Sequence, residues 1–295
     1  MDWVGGLEMR SNEKRDLIEV WRPHDIAQIE LRRGFGVARP VPRHWHDEYQ
    51  LCLIQSGPSE LRYRGNNFPT PPASLFLIYP GEVHSNRAHD SLGCSYRTLF
   101  VEAELMRRAA AEVRQEESEL PFFPTAVLFD RDIIRRYLEV HFALERPSSS
   151  LERQSLLLDL LAALITRFGE NRPAPRGFGS EHQAVSRAFE YLVEHCIENV
   201  SLSSLARIAN LSQFHFTRVF SEHFGMPPHA FQTQLRVSRA KQLLLRGCSI
   251  SEIAFLTGFA DQSHLARHFK RLVGVPPGQY ALSSKNVQDR SKPLN

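Results

Sequence analysis

Two kinds of hydrophobic spacing divide this chain. Between residues 18 and 101 the apolar positions fall in short β-rich runs, at 49–54, 60–64, 75–79 and 96–101. Turn signals separate them at Gly57-Pro58, Gly65-Asn66-Asn67, Pro69 to Pro72 and Pro80-Gly81. Strands this short and this regular predict an antiparallel barrel or jelly roll. The spacing then turns helical, with helices expected near 102–117, 131–144 and 151–168. The last carries Leu156, Leu157, Leu160, Leu161 and Leu164 on one broad face, as expected of a packing or dimer helix. Residues 171–180 contain two prolines and two glycines, which precludes regular structure and predicts a linker.

Beyond the linker the helical pattern occurs twice. The run 201–231, SLSSLARIANLSQFHFTRVFSEHFGMPPHAF, is echoed by 249–280, SISEIAFLTGFADQSHLARHFKRLVGVPPGQY. Ser201/Ser249, Ser203/Ser251 and Ala206/Ala254 match at an offset of 48. Gln213/Gln262, His215/His264, Arg218/Arg267, Phe220/Phe269, Gly225/Gly274, Pro227/Pro276 and Pro228/Pro277 match at 49. A duplicated unit with one residue inserted in its second turn accounts for both offsets.

Each unit reads as a helix-turn-helix. Ser201 and Ser249 stand as N-caps of a first helix, and Ser212 and Asp261 as N-caps of a second. Asn210 and Gly258 tolerate positive φ in the turn. Gly225 and Gly274 end the second helix, and the Pro-Pro pairs prevent its continuation. In such a motif the second helix enters the major groove by its N-terminal residues. Those residues here are Gln213, His215 and Arg218, then Gln262, Ser263, His264 and Arg267. Arg suits guanine bidentately and Gln suits adenine. Residues 228–246 have no internal Gly or Pro and predict one helix of roughly 28 Å. That length suits two recognition helices in major-groove turns ~34 Å apart on one DNA face.

Charge sharpens this picture where bulk composition does not. The chain of 295 residues has a net charge of only +3. Residues 181–295, however, hold 13 Lys and Arg against 8 Asp and Glu, so the basic excess lies in the repeat half, where a phosphate backbone would reward it. The four cysteines form no C-x-x-C pair, which argues against a zinc ribbon or disulfide framework. The N-terminus shows no apolar export core, and the run at 156–165 is too short to span a bilayer, so a cytoplasmic protein without membrane contact is expected. Nucleophile elbows, phosphate-binding glycine loops and H-E-x-x-H are absent from the sequence.

From about residue 186 to 282 the chain closely resembles the DNA-binding domain of AraC-type transcription regulators. The second unit carries the likeness through Ile253-Ala254, Gly258-Phe259, Asp261-Gln262-Ser263-His264, Phe269-Lys270-Arg271, Gly274-Val275-Pro276-Pro277 and Tyr280. The resemblance implies seven helices, paired helix-turn-helix units and an N-terminal sensor. Leu265 departs from it, standing where the family usually has Phe.

The N-terminal half resembles a cupin. His44-Trp45-His46-Asp47-Glu48 and Pro80-Gly81-Glu82-Val83-His84 echo the two cupin motifs. On one strand His44, His46, Glu48 and Gln50 would share a face. Metal-binding cupins, though, place Glu four or five residues past the second His, where this chain has Gln50 and Leu51; no metal or cofactor is expected. The expected use is a pocket for a small polar effector, with His44, His46, Glu48 and His84 as candidates and Tyr63 and Arg97 behind them.

The expected organisation is α+β: a cupin-like jelly-roll sensing and dimerisation domain at 1–170, a linker at 171–182, a helical DNA-binding domain at 183–284 and a disordered tail at 285–295. The expected function is a non-enzymatic, sequence-specific regulator. Its partners would be double-stranded DNA, a small effector, a second copy of itself, and RNA polymerase if it activates. Two alternatives are a constitutive DNA-binding protein with an empty dimerising barrel, and a cupin metalloenzyme with a helical appendage.

Overall fold

A computed structural model describes residues 16–116, 119–146, 148–170 and 180–283. In chain order, β1 (Leu17–Trp21), β2 (Ile29–Val37), β3 (Val41–His44), β4 (Glu48–Ser56), β5 (Ser59–Tyr63), β6 (Asn66–Thr70), β7 (Leu75–Ile78), β8 (His84–Ala88) and β9 (Cys94–Glu102) precede α1 (Ala103–Arg114). Then come β10 (Val127–Leu128), α2 (Arg131–Glu145) and α3 (Ser150–Phe168). The strands form two sheets, ordered β1-β2-β9-β4-β7-β10 and β3-β8-β5-β6. No hydrogen-bonded pairing joins the sheets among the described residues, so the architecture is a two-sheet jelly roll and not a closed barrel.

The run Tyr49-Gln50-Leu51-Cys52-Leu53-Ile54 lacks a polar face because β4 is buried on both sides. Leu51 and Leu53 pack outward against α1–α3 with Leu31, Leu99, Ile133, Tyr137 and Leu160. Cys52 and Ile54 point between the sheets with Leu61, Phe76 and Ile78. The strands at β1, β2, β3, β6 and β8 escape a reading by alternation. β2 is interrupted by Arg32, Arg33, Gly34 and Gly36, β8 is almost wholly polar, and β6 carries Pro69, tolerated at a sheet edge. The leucine face of α3 is used inside the protomer: Leu157, Leu160, Leu161 and Leu164 are buried in the core shared with α1 and α2, while Leu151 and Leu158 face outward.

The C-terminal half consists, among the described residues, of α4 (Ser180–Glu194), α5 (Leu202–Ile208), α6 (Gln213–Phe224), α7 (Pro228–Leu245), α8 (Ile250–Leu256), α9 (Gln262–Val273) and α10 (Pro277–Ser283), the seven helices expected. Of the expected linker, 171–179 lies outside the described residues and 180–182 opens α4; the expected tail lies outside them too. The helices hold two cores, one per helix-turn-helix, and the jelly roll contributes to both. Ile18, Val20 and Val37 pack into the core of α8–α9, and Trp45 stacks on Phe231 in the core of α5–α6.

Candidate nucleic-acid interface and sensing cavity

Four side-chain caps set the two helix-turn-helix units. Ser201 and Ser249 accept from the N–H of Ser204 and Glu252, opening α5 and α8. Ser212 and Asp261 accept from the N–H of His215 and His264, opening α6 and α9. The turns require the left-handed region, with φ 54° at Asn210 and 75° at Gly258. Glycine is needed at 258 for space as well, since a Cβ would stand 2.2 Å from the Ile197 carbonyl oxygen.

Phe216, Val219 and Phe220 on α6, and Leu265, Phe269 and Val273 on α9, turn inward. The outward face presents Gln213, Arg218, Gln262, Ser263 and Arg267, with His215 and His264 half-buried. Arg218 pairs with Glu222 one turn along, at 3.0 Å. That exposed pair is weak enough to yield to a base edge or phosphate. His264 lies edge-on to Phe259, which gives it a part in holding the turn.

Inside the jelly roll lies a cavity of about 380 Å³. Arg32, His44, Gln50, Phe76, Tyr96, Thr98 and Phe100 wall it, and Arg267, Lys270, Arg271, Val273 and Gly274 of the α9 end border it. The second recognition helix is therefore part of the cavity wall. A wider cleft of about 1200 Å³ separates β5–β8 from α6 and α7 and carries Arg43, Arg62, Tyr63, Arg239 and Arg246.

Polar contacts lock the two halves together around this cavity. Glu30, 2% exposed, pairs with Arg22 at 2.9 Å and Arg32 at 2.6 Å, and accepts from the Tyr280 hydroxyl at 2.6 Å. Burial alone would raise the Glu30 carboxyl, but Arg32, Lys241 and Arg22 hold it far below the carboxylate range. Arg32 donates to the Val273 carbonyl at 2.8 Å, and Arg39 donates to that of Gly274. Lys241 on α7 meets Glu48 at 2.9 Å and, against the opposing effect of burial, draws its pKa down to about 2. Gln234 donates to the Trp45 carbonyl at 2.6 Å.

The six side chains expected in the effector pocket separate into groups. His44, His46 and His84 converge, with ring centroids 4.2 to 6.0 Å apart, and His44 reaches the cavity wall. Burial, with His46 next, pushes the His44 pKa down to about 3, and burial likewise lowers His46 and His84. Glu48 is committed to Lys241. Tyr63 donates to Glu82 and borders the outer cleft. Arg97 must be removed from the pocket. It projects toward α2, pairing with Glu145 and covering the Phe142 ring, because its β9 neighbours Tyr96 and Thr98 are the residues that face the cavity. The sequence pattern does not single out Arg32, Tyr96, Thr98 and Phe100 as pocket residues; alternation along β9, once its register is known, selects three of them.

Comparison with known proteins fits this geometry. The family of AraC-like ligand binding domains matches residues 38–161, and a helix-turn-helix domain family matches 205–283. The chain is 32% identical to the HTH-type transcriptional regulator YbfI of Bacillus subtilis over 82% of its own length and 87% of that protein's. It is 21% identical to the HTH-type transcriptional activator RhaS of Salmonella schwarzengrund, over 78% and 84% of the two lengths. The crystal structure of an apo ToxT point variant from Vibrio cholerae superposes with a TM-score of 0.54 at 13% identity, covering 87% of this chain and 97% of that one, a likeness of fold.

Proposed function

Because the chain belongs to the AraC-type family of transcription regulators, with an N-terminal ligand-binding domain and a C-terminal DNA-binding domain, we propose that it reads DNA with α6 and α9 and couples that reading to an effector held in the jelly roll. The observation that carries the proposal is the cavity wall shared between Phe76, Tyr96 and Phe100 of the sheets and Val273 and Gly274 of the α9 end. An effector filling that space touches a recognition helix directly. It would shift DNA affinity by the difference in its own affinity for the docked and undocked arrangements.

In this reading Gln213, His215, Arg218, Gln262, Ser263 and Arg267 meet base edges, and His264 divides its role between DNA and its own turn. The cavity pairs apolar rings with Arg32, His44, Gln50 and Thr98. That lining suits a small molecule with an apolar body and an acceptor or anionic head, a narrower class than polar effectors at large. The outward face of α3, with Leu151 and Leu158, is the place for a second copy. No helix of the described residues is long and apolar enough to cross a membrane; we place the protein in the cytoplasm, where its DNA is, with RNA polymerase as a further partner at activated promoters.

Thermal melting against a metabolite panel tests the coupling. An effector should raise the melting temperature of the whole chain, by about 2.7 kcal/mol of stabilisation at a hundredfold excess over Kd. It should also change operator affinity, and Phe100→Trp, which fills the cavity, should abolish both effects. An effector whose two effects both persist in Phe100→Trp binds elsewhere, and the reading fails.

A further inference from the structure

We propose that His44, His46, His84 and Gln50 form a binding site for one divalent transition-metal ion inside the jelly roll. Among the described residues these histidines are the one group whose ligand atoms all lie within 4.8 Å of one another. The inference stands apart from the DNA reading above.

The tautomers carry the argument. His44 Nδ1 lies 2.9 Å from the Pro42 carbonyl oxygen, His46 Nδ1 2.7 Å from that of Glu48, and His84 Nδ1 3.1 Å from that of Glu82. A carbonyl only accepts, so each Nδ1 carries the hydrogen and each Nε2 keeps its lone pair. A ring held by its N–H on a backbone carbonyl is how proteins fix an imidazole for metal ligation. His84 Nε2 is buried without any hydrogen-bond partner. His46 Nε2 lies 2.9 Å from the Gln50 side-chain amide, which can present its NH2 as a donor or, turned the other way, its oxygen as a ligand beside the ring nitrogen. Gln50 also stands four residues after His46, the spacing at which metal-binding cupins carry a carboxylate, so the position is filled by a neutral oxygen donor.

The donor set selects the ion. Imidazole nitrogens suit zinc, cobalt, nickel or iron, whereas magnesium and calcium need oxygen shells. Glu48, the nearby carboxylate, is turned to Lys241 and leaves the set neutral. The charge of a bound dication is then balanced by an anion. His44 and Gln50 belong to the wall of the 380 Å³ cavity, which gives such an anion its place.

Cobalt titration of the untagged, chelator-stripped full-length chain tests the site by visible absorption. The expected result is a ligand-field spectrum saturating at one ion per chain and erased by zinc. Gln50→Glu, which adds a charged ligand without changing shape, should tighten binding by about tenfold or more. His84→Ala should weaken it by about a hundredfold or more. A parent chain without saturable cobalt absorption overturns the proposal. Should His84→Ala fail to fold, Gln50→Glu carries the test alone, and equal affinity in that variant and the parent overturns the proposal as well.

Discussion

Tyr96 and Arg97 are neighbours on β9, yet one walls a cavity and the other meets a helix. The sequence offers Arg97 as the pocket candidate and passes over Tyr96; only the register of the strand separates them, and a strand buried on both faces hides that register. The histidines were legible because their spacing, His44-x-His46 with His84 after Pro80-Gly81, is itself the signal. Glu30 was not legible, since its partners Arg22, Arg32 and Tyr280 come from both halves of the chain. Glu30→Gln leaves two arginines facing a neutral amide, and should destabilise the fold by about 3–5 kcal/mol, the usual consequence of breaking a buried pair. The pH dependence has a definite sign. The Glu30 pKa is depressed on folding, so its stabilisation is complete above the ordinary glutamate range near 4.5 and is lost as pH falls below it. Urea melts of the parent should show a steep loss of stability below that pH, and Glu30→Gln a shallower one; parallel acid limbs would contradict the assignment.

At the scale of elements, the helix-turn-helix units were the most legible part of the molecule because their signals are local. Ser212 and Asp261 cap the helices they were expected to cap, and Asn210 and Gly258 adopt the positive φ their turns demand. Asp261→Ala should cost about 1 kcal/mol of stability through the lost cap, measurable in denaturant melts. Arg218→Ala and Arg267→Ala should each weaken specific binding by about 1–3 kcal/mol, the worth of a bidentate base contact. Fluorescence anisotropy with an operator duplex at fixed salt reads that change; two variants that both bind as the parent does would remove α6 and α9 from the groove. The α3 helix shows the limit of periodicity. A broad leucine face predicts burial but not against what, and here α1 and α2 of the same protomer are the partners. Leu160→Ala should accordingly lower monomer stability by about 2–5 kcal/mol rather than simply dissociate an assembly, a distinction made by combining melts with solution mass.

For the whole molecule, the docking of the two halves was invisible in the sequence. Ile18, Val20 and Val37 lie in strands that the pattern does not reveal and Trp45 lies in a motif, yet each completes a core of the helical half. Nothing local announces such a contact, because its partners lie about two hundred residues away. The consequence is mechanical: the cavity, the α9 end and the Lys241–Glu48 bridge form one continuous structure. Calorimetry should therefore give one joint unfolding transition for the parent. Two separated transitions are expected when Arg39→Ala and Tyr280→Phe together remove polar contacts between the halves.

With α6 and α9 held on one rigid body, a single chain should read two adjacent major-groove sites. This is tested most directly by sequencing host genomic fragments retained by the purified full-length protein at physiological salt, beside the Arg218→Ala/Arg267→Ala double variant. The expected result is a few discrete sites sharing a motif of two tracts about 10 base pairs apart, lost in the variant. Diffuse recovery without a motif, equal in parent and variant and governed only by salt, would contradict it.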